Sequence, residues 1–567
     1  MPPKIYVSSF PGDVMISFAQ RFTLPLAILS LALLAGCGNS NNVTVNNNGY
    51  TNSDFSGTYV FSFSGTDITA QSTSFFAIAG TITADGNGNI TGGTVDINDL
   101  DLGGTGVFTA QALSASTYSV SSDGRGSGTL KTPQGNFGID FVLTSDAGGL
   151  ISRFDNSGSG SGTFAIQGSA SQSQLTSLAF TLFGSDVNFN PVGTVGAVTL
   201  DGTTGAVTSG LEDFNDNGDS AAGSDLTISS GSLVLSSGTN GTATLTTSYV
   251  PSPLTFDVWV VDSTHLKLIE TDTTSGLALV GDAFTQQPTF TAGQAVFTLA
   301  GTDTTEAPFV AGGYVTTDAN GNLSAGLEDY NDAGNPNTVS PFTGSCNATA
   351  PFAGDRCQLT LTAFSNGTET NLTFAAYPST GGVLLLEDDS FGSFLQGAAY
   401  SQSATAFAVP NPYGYNLTGF NAEGQAAGTD GEVDEIAQFN ATTAATNNMT
   451  GVVDENDLAV QLTSSNLNGA YTPDSPVDGR GGISASASGI FVGTLNLEYY
   501  VIDSSTALVI DGDVNQAAMG VFALQSTPGG SVSKQAKASR AGSAAASITS
   551  LVRPFHKSRM AVKQRGK

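Results

Sequence analysis

Three landmarks recur four times along this chain, and their constant spacing limits its architecture more than any other feature. An aromatic-x-apolar-x-Gly stretch appears at Phe61–Gly65, Phe180–Gly184, Phe297–Gly301 and Tyr415–Gly419, with glycines 119, 117 and 118 positions apart. An acidic motif follows: VDIND with Asp96 and Asp99, EDFND with Asp213 and Asp216, EDYND with Asp329 and Asp332, VDEND with Asp454 and Asp457. Further on, an apolar strand ends in Asp155, Asp272, Asp389 and Asp513, which lie 59, 59, 60 and 59 positions after the first aspartate of each motif. A unit of this length can hold its own core and is too long for a solenoid turn or propeller blade. The repeats are read as 54–170, 171–288, 289–403 and 404–526.

Each repeat is β in character. Tyr59, Phe61 and Phe63 alternate with Val60, Ser62 and Ser64, the period of a strand with one buried face. Eight or nine such segments per repeat are separated by Gly, Asn, Asp and Ser turns, with no helical periodicity. Short connections favour an antiparallel meander, and eight strands can remove their exposed edges by closing. The expected fold is all-β: four tandem antiparallel β-meander domains, with an eight-stranded barrel favoured over a β-sandwich. Ser56-Gly57-Thr58-Tyr59 and the turn Asp85-Gly86-Asn87-Gly88-Asn89 resemble the opening strands of avidin-like and lipocalin-like barrels, although the tryptophan usual after the glycine is absent.

Charge divides the chain into parts. The net charge is −31, yet the nine Lys and Arg after Gln525 stand among no acids, whereas 38–525 holds six basic residues against 47 acids. The acidic body argues against nucleic acid as a partner, since phosphate binding needs Lys and Arg. The tail, 527–567, reads as a basic disordered extension able to dock on the acidic body, anionic surface polymers or lipid headgroups.

The amino-terminal run Leu24–Gly36 follows Arg21 and is too short to span a bilayer comfortably. It ends in Leu34-Ala35-Gly36-Cys37, which resembles the lipobox of bacterial lipoproteins. That resemblance implies a signal peptide over 1–36 and a lipidated Cys37 opening the mature chain. Gly38 in place of Asp implies sorting to the outer membrane, facing periplasm or cell surface. An ordinary signal peptide or short anchor is the alternative. Residues 37–53 read as the lipidated cysteine and a flexible polar tether. With the GTY, DGNGNI and EDxND patterns, the whole chain resembles tandem-repeat surface lipoproteins of bacteria. In an exported protein the remaining pair, Cys346 and Cys357, is expected to form a disulfide; a metal pair lacks a nearby histidine.

With two histidines in 567 residues, repeated histidine catalysis and multi-His metal centres are excluded. No GxSxG elbow, HExxH helix or phosphate-binding loop occurs. The DGNGN turn has partial calcium-loop spacing, but Ile90 stands at the glycine position, so a hairpin with positive-φ residues is the simpler reading. The acidic motifs admit two readings. In one, Asp and Asn bond the local backbone in a turn. In the other, up-and-down topology brings Asp213 toward Glu270 and Asp272, and Asp329 toward Glu387 and Asp389, where calcium would relieve carboxylate repulsion. No other cofactor is expected. Paired carboxylates also raise glycoside hydrolysis, but repeat one has only Asp155 at the third landmark. His265 reads as a solvated turn residue and Trp259 as core or rim packing. The functional expectation is a non-enzymatic, lipid-anchored surface protein, a rigid rod with a structural, adhesive or interaction role. The alternatives are a glycan- or small-ligand-binding barrel and, third, a carbohydrate-active enzyme.

Overall fold

The computed structural model describes residues 48–528, apart from 69–72, 101, 103–104, 217–222, 251–252, 288–290, 319–321, 348–355, 366–367, 390–391, 422–430, 444–445, 459, 476, 488–494 and 515. The signal run, Cys37 and the basic tail lie outside the described residues. Four separate antiparallel sheets follow one another, each confined to one repeat. They run from Ser56–Ile68 to Gly158–Ile166, from Ser177–Asp186 to Leu277–Thr285, from Gly293–Thr302 to Phe394–Ser401, and from Asn411–Asn421 to Gln516–Leu524. The third and fourth are closed eight-stranded barrels. The first returns on itself through the pairing of Ser56–Ile68 with Thr73–Asp85, leaving Thr94–Asp99 and Val107–Ala112 as a flap on the second strand. The second stays an open nine-stranded sheet with an isolated bridge, Ala206 to Ser232, near its seam. The disulfide Cys346–Cys357 ties two adjacent strands of barrel three, with Cα atoms 5.7 Å apart.

The aromatic alternation points inward as expected: Tyr59, Phe61, Phe63, Phe141 and Phe164 fill barrel one, and Tyr413, Tyr415, Phe439 and Phe522 fill barrel four. The landmark glycines are required by close strand approach. A Cβ on Gly184 or Gly301 would lie 1.7 Å from a carbonyl oxygen of the last strand, that of Ala278 or Phe394. The half-exposed strand does not occur there, however. Ser62 and Ser64 are buried along with their inward neighbours. The reason is a fifth apolar cluster, built from outward-facing residues of all four repeats: Val60 and Ala79, Ala179 and Val195, Val296 and Ala398, Ile436 and Val521 among them. Small side chains at many of these positions let neighbouring barrels approach closely. Strands remote from this cluster keep the alternation, as in Ser116–Val120.

Packing joins repeat one to two, two to three, three to four, and four back to one. The expected rod is therefore a closed ring, because the strands on both flanks of each barrel are apolar on their outer faces too. Residues 48–53 are not a free tether. Asn48 and Tyr50 donate their backbone N–H to Ser122 O, the Asn48 side chain donates to Gln525 Oε1 at 3.0 Å, and Tyr50 OH donates to Ser526 O at 2.7 Å.

Candidate functional site

The acidic motifs build the four joints of the ring. In each, the motif asparagine reaches across to backbone carbonyls at the third landmark of the next repeat. Asn98 Nδ2 donates to Glu270 O at 3.0 Å and to Glu270 Oε2 at 2.6 Å. Asn215 donates to Glu387 O at 3.1 Å. Asn331 donates to the carbonyls of Asp511, Asp513 and Gln516 at 2.6–3.0 Å. Asn456 closes the circle, donating to those of Arg153, Asp155 and Gly158 at 2.7–3.3 Å.

The first motif aspartate does two things. It accepts the backbone N–H of a residue held at positive φ on or just before the following strand: Ala110 for Asp96, Asp225 for Asp213, Ser464 for Asp454, with φ of 54°, 54° and 55°. It also faces a donor from the next repeat. Arg356 grips Asp213 with two N–H bonds of 2.7 and 2.6 Å, and Tyr377 OH donates to the same carboxylate at 2.5 Å. Arg480 grips Asp329 likewise, at 2.7 and 3.0 Å, with Tyr500 OH donating as well. Arg125 donates to Asp454 at 2.5 Å. Such forked, buried Arg–carboxylate pairs are among the stronger protein hydrogen bonds. The arginines lie in DGR at 123–125 and 478–480 and in GDR at 354–356, a fourth landmark that sequence reasoning missed although its spacing follows the others.

Joint one to two differs. Asn240 pairs with Trp259 in the register where Arg480 pairs with Tyr500, so no guanidinium is supplied. Asp96 instead accepts Trp259 Nε1 at 3.0 Å. Burial, with Asp257 as a charged neighbour, pushes Asp96 up to about 7, and burial raises Asp257 as well. Asn240→Arg is expected to raise the melting temperature at pH 8, above the value near 7 to which Asp96 is pushed, with little gain at pH 5. A loss of stability at pH 8 would show that this joint has no room for the charge.

The other site candidates fall as follows. Glu270 and Glu387 are buried, each bonded to a neighbouring serine, Ser275 or Ser393. Asp272 and Asp155 cap local turns by accepting backbone N–H groups of Thr274 and Ser157, whereas Asp513 and Asp389 reach an earlier strand and accept those of Asn496 and Thr373. Asp457 accepts from Asn421 Nδ2 at 2.9 Å, Asp99 is buried, and Asp216 and Asp332 are half-buried at strand ends. The expected approach of Asp213 to Glu270 and Asp272, and of Asp329 to Glu387 and Asp389, is not what the fold makes. The motif faces the neighbouring repeat, so Asp213 meets Arg356, whose guanidinium also holds Asp388, and Asp329 meets Arg480. Among the described residues no group of three or more His, Cys, Asp or Glu has metal-binding geometry. The DGNGN turn is a hairpin: Asp85 accepts the N–H groups of Asn87 and Asn89, and Gly86 and Gly88 have φ of 78° and 98°.

His265 is a correction. It opens the strand His265–Glu270, is 6% exposed, stacks on Phe284 and lies 2.5 Å from Asp282, which also binds the fully buried Lys267. Lys267 in turn donates to Ser62 of repeat one at 3.0 Å. Of the six basic residues in the body, Arg125, Lys267, Arg356 and Arg480 bond across joints, whereas the Arg153 guanidinium holds Asp155 and Ser157 of its own repeat.

No family model and no curated protein sequence matches the chain. Among solved structures, intact Ap-TbpB with its N and C lobes is 10% identical, covers 67% of this chain and 84% of its own, and has a TM-score of 0.16. A transferrin-binding protein B variant from Haemophilus parasuis, described as a vaccine antigen, is 8% identical over 67% of this chain and 86% of its own, also at 0.16. These are distant likenesses.

Proposed function

We propose that this chain is exported, anchored to the bacterial envelope through lipid on Cys37, and serves there as a rigid scaffold with a structural, adhesive or interaction role. The observation that carries this reading is where the chemistry-bearing residues go. The first aspartates of the acidic motifs, and four of the six body cations, bond from one repeat to the next, and aromatic rings fill barrels one and four. The placement of the ends supports anchoring. Asn48 and Tyr50, close to the anchor in sequence, bond to Gln525 and Ser526, close to the basic tail. Eleven positions separate Asn48 from Cys37, a reach of at most about 40 Å. The basic tail starts from the same side, where it would meet anionic headgroups next to the lipid.

Labelling cells with an alkyne fatty acid is expected to tag the full chain and place it in the membrane fraction, with both signals lost in Cys37→Ser. An untagged wild-type chain in the soluble fraction would overturn the anchoring.

A further inference from the structure

We infer that barrel three is a binding site for one small, uncharged, ring-sized apolar molecule. Its interior holds a cavity of about 120 Å³ walled by Phe297, Leu299, Leu361 and Leu385, with no charged side chain among the described residues that line it. An apolar cavity of about 150 Å³ stays dry and takes up benzene, so this space suits an aromatic ring or a short alkyl chain.

The register shows where the space comes from. Six positions before the landmark glycine, barrels one and four carry Tyr59 and Tyr413, whereas barrel three carries Ala295. Opposite these, Ile82 and Phe439 correspond to Val315. On the last strand, Phe164 and Phe522 correspond to Ala399. Ala295, Val315 and Ala399 all line the cavity, so the void is the volume of side chains that the sister barrels possess. Barrel two, with Leu178, Val198 and Ala283 at these places, keeps a void of only about 30 Å³.

In the other three repeats an apolar side chain just before the first strand is buried at the rim where the chain enters. Phe55 stacks on Tyr59 at 4.6 Å between ring centroids and meets Tyr118, Phe141 and Phe164, so it closes barrel one. Phe407 does the same in barrel four against Tyr413, Tyr471 and Tyr499, and Leu175 is fully buried in barrel two. In barrel three the corresponding stretch, 288–290, lies outside the described residues. The cavity is bordered there by Gln287, Thr317, Ser379 and Ser401, uncharged groups that select against an ionic ligand because they offer no counter-charge.

The test is titration calorimetry of the purified full chain with toluene, indole, benzoate and glucose, alongside Ala399→Phe, a side chain the sister barrels accommodate. Toluene and indole are expected to bind saturably, one per chain, and at least tenfold more weakly to Ala399→Phe, which should also melt higher than wild type. Absence of saturable binding to wild type, undiminished binding to a folded Ala399→Phe, or tighter binding of benzoate or glucose would overturn the assignment. The measurement needs no acyl group, so its failure is separate from failure of the anchoring through Cys37.

Discussion

Raising the pH from 5 to 9 is expected to lower the melting temperature by roughly 10 °C, the reverse of a protein stabilised by ionised carboxylates. Burial pushes Asp140, Glu270, Glu387 and Glu455 up to about 8, aided in each case by a nearby aspartate: Asp454, Asp272, Asp389 and Asp457 respectively. Burial also raises Glu435 and Asp511 well above the usual carboxylate range inside barrel four, where Glu435 accepts Tyr415 OH at 3.0 Å. The sign follows from proton linkage. Below about pH 4 both folded and unfolded chains hold these protons, so the stability is fully present. Between there and pH 8 only the folded chain holds them, and each pH unit costs about 1.4 kcal/mol per group. Repulsion within the acidic body acts in the same direction. Thermal melts from pH 5 to 9 check this, and Glu435→Gln should flatten the slope. A flat or rising profile for wild type would mean that these acids are ionised in the folded ring.

Arg480→Met is expected to destabilise the chain by about 3–5 kcal/mol at pH 8, the usual cost of leaving a buried charge without its partner. Arg480 binds Asp329 with two hydrogen bonds and reaches Asp474 at 2.8 Å and Glu498 at 3.0 Å, so its loss strands a buried aspartate among other acids. The loss should shrink at pH 5, because burial pushes Glu498 up to about 7 and its protonation there removes one acid from the stranded cluster. Denaturant melts at both pH values provide the check. A loss of equal size at both would assign the effect to packing rather than to the ion pair.

The second prediction concerns a joint, and the joints mark the limit of what can be read along the chain. The motif aspartates were recognised as one class from VDIND to VDEND, yet they were assigned partners within their own repeat. Their partners, Arg356, Arg480 and Arg125, belong to the neighbour, and for Asp454 the neighbour lies 329 positions earlier. Ser62 and Ser64 look like a solvent face because small polar residues on alternate positions read the same whether water or another barrel covers them. His265 misled for a related reason. It follows a turn but opens a strand, and burial beside Asp282 depends on barrel packing rather than local pattern. The DGR turns were legible by spacing; only their role required coordinates.

Local and repeated features determine the barrels. Period-two aromatics, turn-forming Gly, Asn and Asp, and landmarks in constant register specify β-meanders copied four times, because each strand's pairing partner lies a short loop away. Closure of the four into a ring, the burial of both strand faces, and the void left by Ala295, Val315 and Ala399 arise only when surfaces distant in sequence meet. Shape complementarity and ion pairing between such surfaces leave no periodic trace in the chain, so tertiary structure alone decides them.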